Sequence, residues 1–562
     1  MCTEREAEKP SRRLVFRKKG NRCVIYPENA VLVATSIEKR LHSRCVQTNV
    51  VCDFIIQINE TTFHLHKLPM VSRSGYINRL VFQRTSTGET ASSIRIDNVP
   101  GGYKIFELVV KFCYGMKVEL TAPNIAPLYC AANLLEMSDD FEQGNLIEKT
   151  EHFLSFVIFS SWKDTIRILR SCETITSWAR ELGILKRCAE SIAWKASIDS
   201  HAIKCGGIEI HCLELLENEY NSNPENLHDG WWFKDLLLLR IDHFTEVILS
   251  CKRKGIRSEL VGSCIALWTA KWLSRISLQF DNLSHKNLTV RLYRITIRSL
   301  IALLPEDDNS VSYNFLLHLF KLGQVVKLDS KVLMKLERRL AVMLVNCDPY
   351  ELLIKNYRHG DTSYDVGIVC KVAEAYVSLH SVKPLTLQVV GRLIDEYLTL
   401  VARDDNLPPK VFQSLIEALP KSCRTCDNHL YRAIDMYLKA HPSLTEEERN
   451  GLCRAIEYNK LSQEARSHAL RNDRLPLNII TRFILLEQVK VTSSMTTAGS
   501  DYYRTKSQTI MKVTKNMGRK IVNSLKDLKS MKLEVEAMKE KLSNLQTCSA
   551  MLHSRAKQCA KV

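Results

Sequence analysis

No stretch of this 562-residue chain reaches the roughly 18 to 20 uninterrupted apolar residues that a membrane-spanning helix needs. The nearest is FLSFVIFSSW at 153–162. Its start, MCTEREAEKPSRRLVFRKKG, is charged where a secretory leader would be apolar. The 19 cysteines run from Cys2 to Cys559 without a dense, evenly spaced cluster. That argues against a disulfide framework, and reduced thiols of a cytoplasmic or nuclear protein are expected. Enzyme signatures are missing too: there is no Gly-x-Gly-x-x-Gly behind a strand, no Gly-x-x-x-x-Gly-Lys-Ser/Thr and no His-Glu-x-x-His. Cys423 and Cys426 form one Cys-x-x-Cys with no second pair at zinc-ribbon distance, which favours ordinary thiols. The acid pairs Asp139–Asp140, Asp307–Asp308 and Asp404–Asp405 sit in polar stretches suited to turns and helix starts. No cysteine has an evident positioned base, so the expectation is a protein without catalytic residues, metal or cofactor.

What is present is charge, unevenly placed. Lysine and arginine exceed aspartate and glutamate by 17, and residues 1–50 and 489–562 supply +6 and +10 of that excess. The middle is nearly neutral, with no folded basic element of the kind that enters a DNA groove, so no nucleic-acid partner is expected. Basic ends fit an acidic partner or peripheral contact with an anionic membrane surface.

The length calls for about three or four folded units. From 52 to 137 the pattern is mixed: DFIIQI and TFHLH alternate as strands around the turn NET, and SIRI is another short strand. LPMVSRSGYINRLVF opens with turn chemistry and continues as a helix. QRTSTGETASS at 83–93 reads as a polar loop, and YKIFELVVKFCYG as a helix that Gly115 can stop. His64 and His66 share a strand face, but two histidines make an incomplete metal site, so a structural role is favoured. Beyond about 160 nearly every segment has helical spacing. Thr445 with Glu448 forms a capping box, Ser462 caps QEARSHAL, and Pro476 suits a first turn. Residues 491–510 are Ser/Thr-rich and read as linker. Ile521, Leu525 and Leu528, then Met531, Val535, Met538, Leu542 and Leu545, give about three heptads interrupted by a stammer.

The opening segment resembles a BTB/POZ domain through Asp53 at the start of a strand, His66–Lys67 at the end of the next, and Arg73–Ser74 in the helix that follows. FHLHKLPMVSRSG, VPGG and FELVVKFCYG narrow the resemblance to the plant BTB family of the non-phototropic hypocotyl and root phototropism type. WWFKDLLLLRID at 231–242, YDVGIVCKVAEAYV at 364–377 and the run from Leu430 to Gln488 are similar to that family's large helical domain. The resulting fold class is mainly α. Its expected parts are a basic extension at 1–48, a BTB/POZ domain with following helices at 49–160, a helical connector at 161–229 and an all-α family domain at 230–488. A linker at 489–515, a coiled coil at 516–547 and a basic tail at 548–562 complete the layout.

The resemblance implies a substrate-specific adaptor of a cullin-3-type ubiquitin ligase in blue-light or auxin-related signalling. The alternatives are a non-ligase scaffold at the plasma membrane and, less favoured, a BTB transcriptional co-regulator. Implied partners are the cullin, the chain itself or related BTB proteins as dimer, and blue-light receptor kinases. Asp53, His66, Lys67 and Arg73 become markers of the BTB fold and dimer, and Phe106 and Glu107 the candidate cullin contact. Arg504, three residues before Ser507, makes that serine a candidate phosphosite, where phosphate would add about 1.5 to 2 negative charges to a basic tail.

Overall fold

The computed structural model describes residues 22–27, 30–86, 92–200, 232–273, 288–356, 363–379, 383–495, 537 and 539–541. Ser507, the basic tail and most of the expected coiled coil lie outside the described residues. The described residues form a mainly α fold with mixed strands and helices at its N-terminal end. It divides into two compact units, Met1–Met343 and Leu344–Val562.

In the first unit the strands are β1 (Cys23–Ile25), β2 (Ser36–Lys39), β3 (Ser43–Gln47), β4 (Phe54–Ile58) and β5 (Thr61–Leu65), followed by β6 (Ser93–Ile96) and β7 (Val118–Leu120). Five form a sheet in the order β2-β3-β5-β4-β6, and β1 pairs separately with β7. The sheet is mixed: β3 runs parallel to β5 and β4 to β6, while β4 and β5 form the antiparallel hairpin. Both hairpin strands alternate buried and half-buried positions. Phe54, Ile56 and Ile58 therefore share the core face with Phe63 and Leu65. Asn59 makes the two-residue turn with φ of 51°, a left-handed conformation that asparagine tolerates better than branched residues.

Five helices belong to this part: α1 (Lys67–Val71), α2 (Gly75–Ser86), α3 (Gly102–Cys113), α4 (Ala122–Leu134) and α5 (Leu146–Ser160). Two differ from the sequence reading. The turn expected at Leu68–Pro69 is instead the first turn of α1, because a proline there lacks only an N–H that has no intrahelical acceptor anyway. Likewise Gln83–Ser86, expected in a loop, extend α2. Helix α3 does stop at Gly115, whose φ is 72°. Strands β1 to β3 precede residue 49; β1 pairs with β7 and β3 with β5, and β2 adds to β3 at the edge, so strand pairing reaches N-terminal of the boundary expected there.

The rest of the first unit is helical: α6 (Trp162–Ser171), α7 (Thr176–Glu181), α8 (Ile184–Ser200), α9 (Phe233–Leu236), α10 (Ile241–Arg253), α11 (Ser258–Leu273), α12 (Leu288–Leu303), α13 (Tyr313–Val325) and α14 (Ser330–Met343). The second unit contains α15 (Val366–Val377), α16 (Pro384–Val401), α17 (Pro409–Glu417), α18 (Asn428–Ala440), α19 (Glu446–Cys453), α20 (Gln463–Ala469) and α21 (Leu477–Met495). Thr445 and Glu448 form the capping box of α19, and Ser462 caps α20. Inside this unit Arg424 donates from Nε to both Asp395 carboxylate oxygens, at 2.9 and 3.1 Å. Both side chains are buried, so each charge is matched by the other where water cannot reach.

Candidate partner-binding site

The β4–β5 register sets Phe54 opposite Leu65, which brings the preceding Asp53 beside the following His66. Asp53 Oδ1 accepts from the Lys67 backbone N–H at 2.8 Å, satisfying a first-turn donor of α1 from across the hairpin. His66 is buried, and its backbone N–H donates to the Tyr114 hydroxyl at 2.6 Å. The same hydroxyl lies 3.0 Å from His66 Nδ1, while Nε2 lies 3.0 Å from the Val50 carbonyl and 3.2 Å from Thr48 Oγ1. A carbonyl can only accept, so Nε2 carries the proton and Nδ1 accepts from Tyr114. Both ring nitrogens are thus engaged, and the ring ties the strap 48–51 to the end of α3. His64 is half-buried, level with Ile55 and Cys45 on the neighbouring strands. Among the described residues no group of three or more His, Cys, Asp or Glu side chains is arranged to hold a metal ion.

Arg73 performs a similar tie on the other side of α1. Its guanidinium is buried, donating to the Phe112 carbonyl at 3.1 Å and to Glu142 through Nη2 at 2.7 Å, with Nε 2.7 Å from the second carboxylate oxygen. It lies over the Phe112 ring at 5.1 Å. Ser74 donates to the Leu135 carbonyl at 2.6 Å, and the Asn145 amide donates to the Arg73 carbonyl at 3.0 Å. Asp53 and Lys67 therefore tie the hairpin to the start of α1, and His66 and Arg73 tie the two ends of α1 to α3 and to the loop before α5. Tyr114, Glu142 and Asn145 complete the frame, and the marker residues they hold lie 48 to 72 residues away in the sequence, beyond any local pattern.

Helix α3 packs its apolar face on the sheet, with Phe106 fully buried and edge-on to Phe63 at a centroid distance of 5.0 Å. Glu107 is 7% exposed, and three cations surround it: Lys39 at 2.8 Å, Lys111 at 3.3 Å and Arg44 at 3.5 Å. Burial pushes its carboxyl up, but hydrogen bonds and charge from Lys39 and Lys111 outweigh that and hold it below the usual glutamate range. Phe106 thus lies inside the core and Glu107 beneath a cationic surface. The side chains of α3 that solvent reaches are those of Tyr103, Lys104, Leu108 and Lys111. Near the His66 strap, Val50, Val51 and Leu68 are exposed apolar side chains.

In each acid pair a carboxylate accepts hydrogen bonds from the protein itself. Asp139 accepts from the Asn145 N–H, Asp307 from the Ser258 hydroxyl, and Asp404 from the N–H groups of Ser363 and Asn406. Cys423 is buried and Cys426 exposed, and both are free thiols. No helix among the described residues is long and apolar enough to cross a membrane.

Comparison with known proteins agrees with this architecture. Residues 43–154 match the BTB/POZ domain and residues 230–466 the NPH3 family. The chain is 33% identical to root phototropism protein 3 of Arabidopsis thaliana, over 93% of this chain and 87% of that protein. It is 32% identical to coleoptile phototropism protein 1 of Oryza sativa subsp. japonica, over 92% and 85%. A further relative, the BTB/POZ domain-containing protein DOT3 of Arabidopsis thaliana, is 34% identical over 84% and 78%. With both domains in order and a third of the residues shared across most of each relative, the chain belongs to the BTB/NPH3 phototropism-signalling family.

Proposed function

We propose that this chain is a substrate-specific adaptor of a cullin-3-type ubiquitin ligase in plant blue-light or auxin-related signalling. The observation that supports this most is a BTB unit joined to an NPH3-family helical region, since BTB domains generally form dimers and bind cullin-3. In this reading Asp53, His66, Lys67 and Arg73 hold the frame under a dimer face that includes Val50, Val51 and Leu68. Phe106 and Glu107 remain the candidate cullin contact: Phe106 acts by seating α3, and Glu107 by fixing the cations that the cullin meets. The helical region selects the client, and dimerisation raises the effective concentration of ligase beside it. Ubiquitin-transfer chemistry belongs to partner proteins. Blue-light receptor kinases, peripheral contact with the plasma membrane and phosphorylation of Ser507 are further parts of the proposal.

The test is calorimetry of the full chain against a cullin-3-type N-terminal domain, with the Lys111→Glu variant alongside. Micromolar or tighter binding, weakened at least about tenfold by Lys111→Glu in a normally folded chain, supports the adaptor. Absence of binding by a folded dimer moves the reading to a non-ligase scaffold, which the dimer and coiled-coil patterns would serve equally well.

A further inference from the structure

Helix α12, LTVRLYRITIRSLIAL, is apolar on two faces, as a helix buried on both sides would be. One face is covered: Val290, Ile297 and Leu300 are buried in the first unit. The other is open to water. Leu288, Leu292 and Ile295 are 69, 56 and 53% exposed, and half-buried Ser299 and exposed Ala302 continue their line. Their spacing of four, three, four and three is that of a coiled-coil seam. At about 3.6 residues per turn, Arg291 and Arg298 edge this seam on one side, Thr289 and Thr296 on the other. Both arginines are exposed, and among the described residues neither has a carboxylate within ion-pairing distance, whereas Arg294 beside them donates to the Val326 carbonyl at 2.9 Å. The helix itself contains no acidic residue.

We propose that this face binds an amphipathic helix of a partner protein whose own apolar seam is edged by glutamate or aspartate one heptad apart. Arg291 and Arg298 are one heptad apart themselves, so both meet such acids in a single register. Charge rules against the two occupants this chain could supply. Two copies of α12 laid together leave the arginines without an acid. The expected heptads of the tail carry Lys532, Lys539 and Lys541 against Glu534 beside their seam, again the wrong sign. A bilayer fits less well than a helix. Surface-lying membrane helices are rich in cations across their polar face, whereas this seam has them on one flank only. Glu306, Asp307 and Asp308 are also exposed just past the C-terminal end of α12, where they repel anionic lipid. This surface is distinct from α3, and its occupant is independent of cullin binding.

The probes are two peptides of about three heptads with leucine at the seam positions, one edged with glutamate and its twin with lysine, so that like charge keeps each from pairing with itself. Each carries a fluorophore at one end and a photoreactive residue in the seam. Binding to the full chain at physiological salt is read by fluorescence anisotropy, and the crosslinked position by mass spectrometry. The glutamate probe is expected to bind with micromolar affinity, at least about tenfold tighter than the lysine probe, and to crosslink within 288–302. Arg291→Glu together with Arg298→Glu should reverse the preference, and Leu292→Asp together with Ile295→Asp should remove crosslinking there by either probe. All four side chains are exposed, and unchanged thermal unfolding will show that the variants fold. Equal binding of the two probes, or a preference that survives the arginine reversal, overturns the proposal. Crosslinks of the glutamate probe confined to 489–562 overturn it in favour of the lysines of the tail. Sedimentation with phosphatidylserine vesicles that needs Leu292 and Ile295, without crosslinking of the glutamate probe to 288–302, overturns it in favour of a bilayer.

Discussion

The Tyr114 hydroxyl satisfies two polar groups of His66 at once, taking the backbone N–H and giving its own proton to Nδ1. Replacing Tyr114 with phenylalanine keeps the ring and strands both groups in a buried place. Tyr114→Phe should cost about 1–3 kcal/mol in urea unfolding of the BTB unit, and a loss below about 0.5 kcal/mol would mean that the hydroxyl is dispensable to the frame. A second histidine responds to acid. Burial, and then the charge of Lys321, push His318 down to about 4. The folded chain therefore binds this proton less readily than the unfolded one. The stability it permits is complete above the ordinary histidine range near 6.5 and is lost as pH falls from there toward 4. His318→Phe should flatten the stability–pH curve across that window; an unchanged slope in unfolding experiments at pH 7, 6 and 5 would refute the assignment.

Among the elements, the β4–β5 hairpin was the most legible, because alternation marks both strands and asparagine marks the turn. Strands β1 to β3 were not legible: SIEK in β2 has no buried residue, so no alternation announces it. Helix α1 was obscured by Pro69, whose turn-forming reputation conceals its fitness for a first helical turn. Of the candidate site, Asp53, His66 and Arg73 could be named from resemblance alone. Their bonds could not, since the partners come from distant segments. On α3 the periodicity located a helix without revealing how little of it faces water. Phe106→Ala should destabilise the BTB unit by about 3–5 kcal/mol, while Lys104→Ala, at an exposed position, should stay within about 0.5 kcal/mol. Thermal unfolding of the two variants checks this, and comparable losses in both would contradict the burial of Phe106.

For the whole molecule, the excess charge lies almost entirely before residue 51 and after residue 488. Attraction to an anionic surface should therefore follow the ends. At low salt the full chain should bind phosphatidylserine vesicles, and removing residues 489–562 should abolish most of that binding, with Ser507→Glu weakening it in the same direction. Undiminished sedimentation of the shortened chain with vesicles would place the attraction elsewhere. The strand pairing has a consequence in time as well. Cys23 is matched with Leu120, so a strand made early waits while roughly a hundred further residues are synthesised, about 5 to 20 seconds at ordinary ribosome speeds. Until then the growing chain carries an unfinished edge, and the last short strand of the BTB unit to leave the ribosome is the one that closes it.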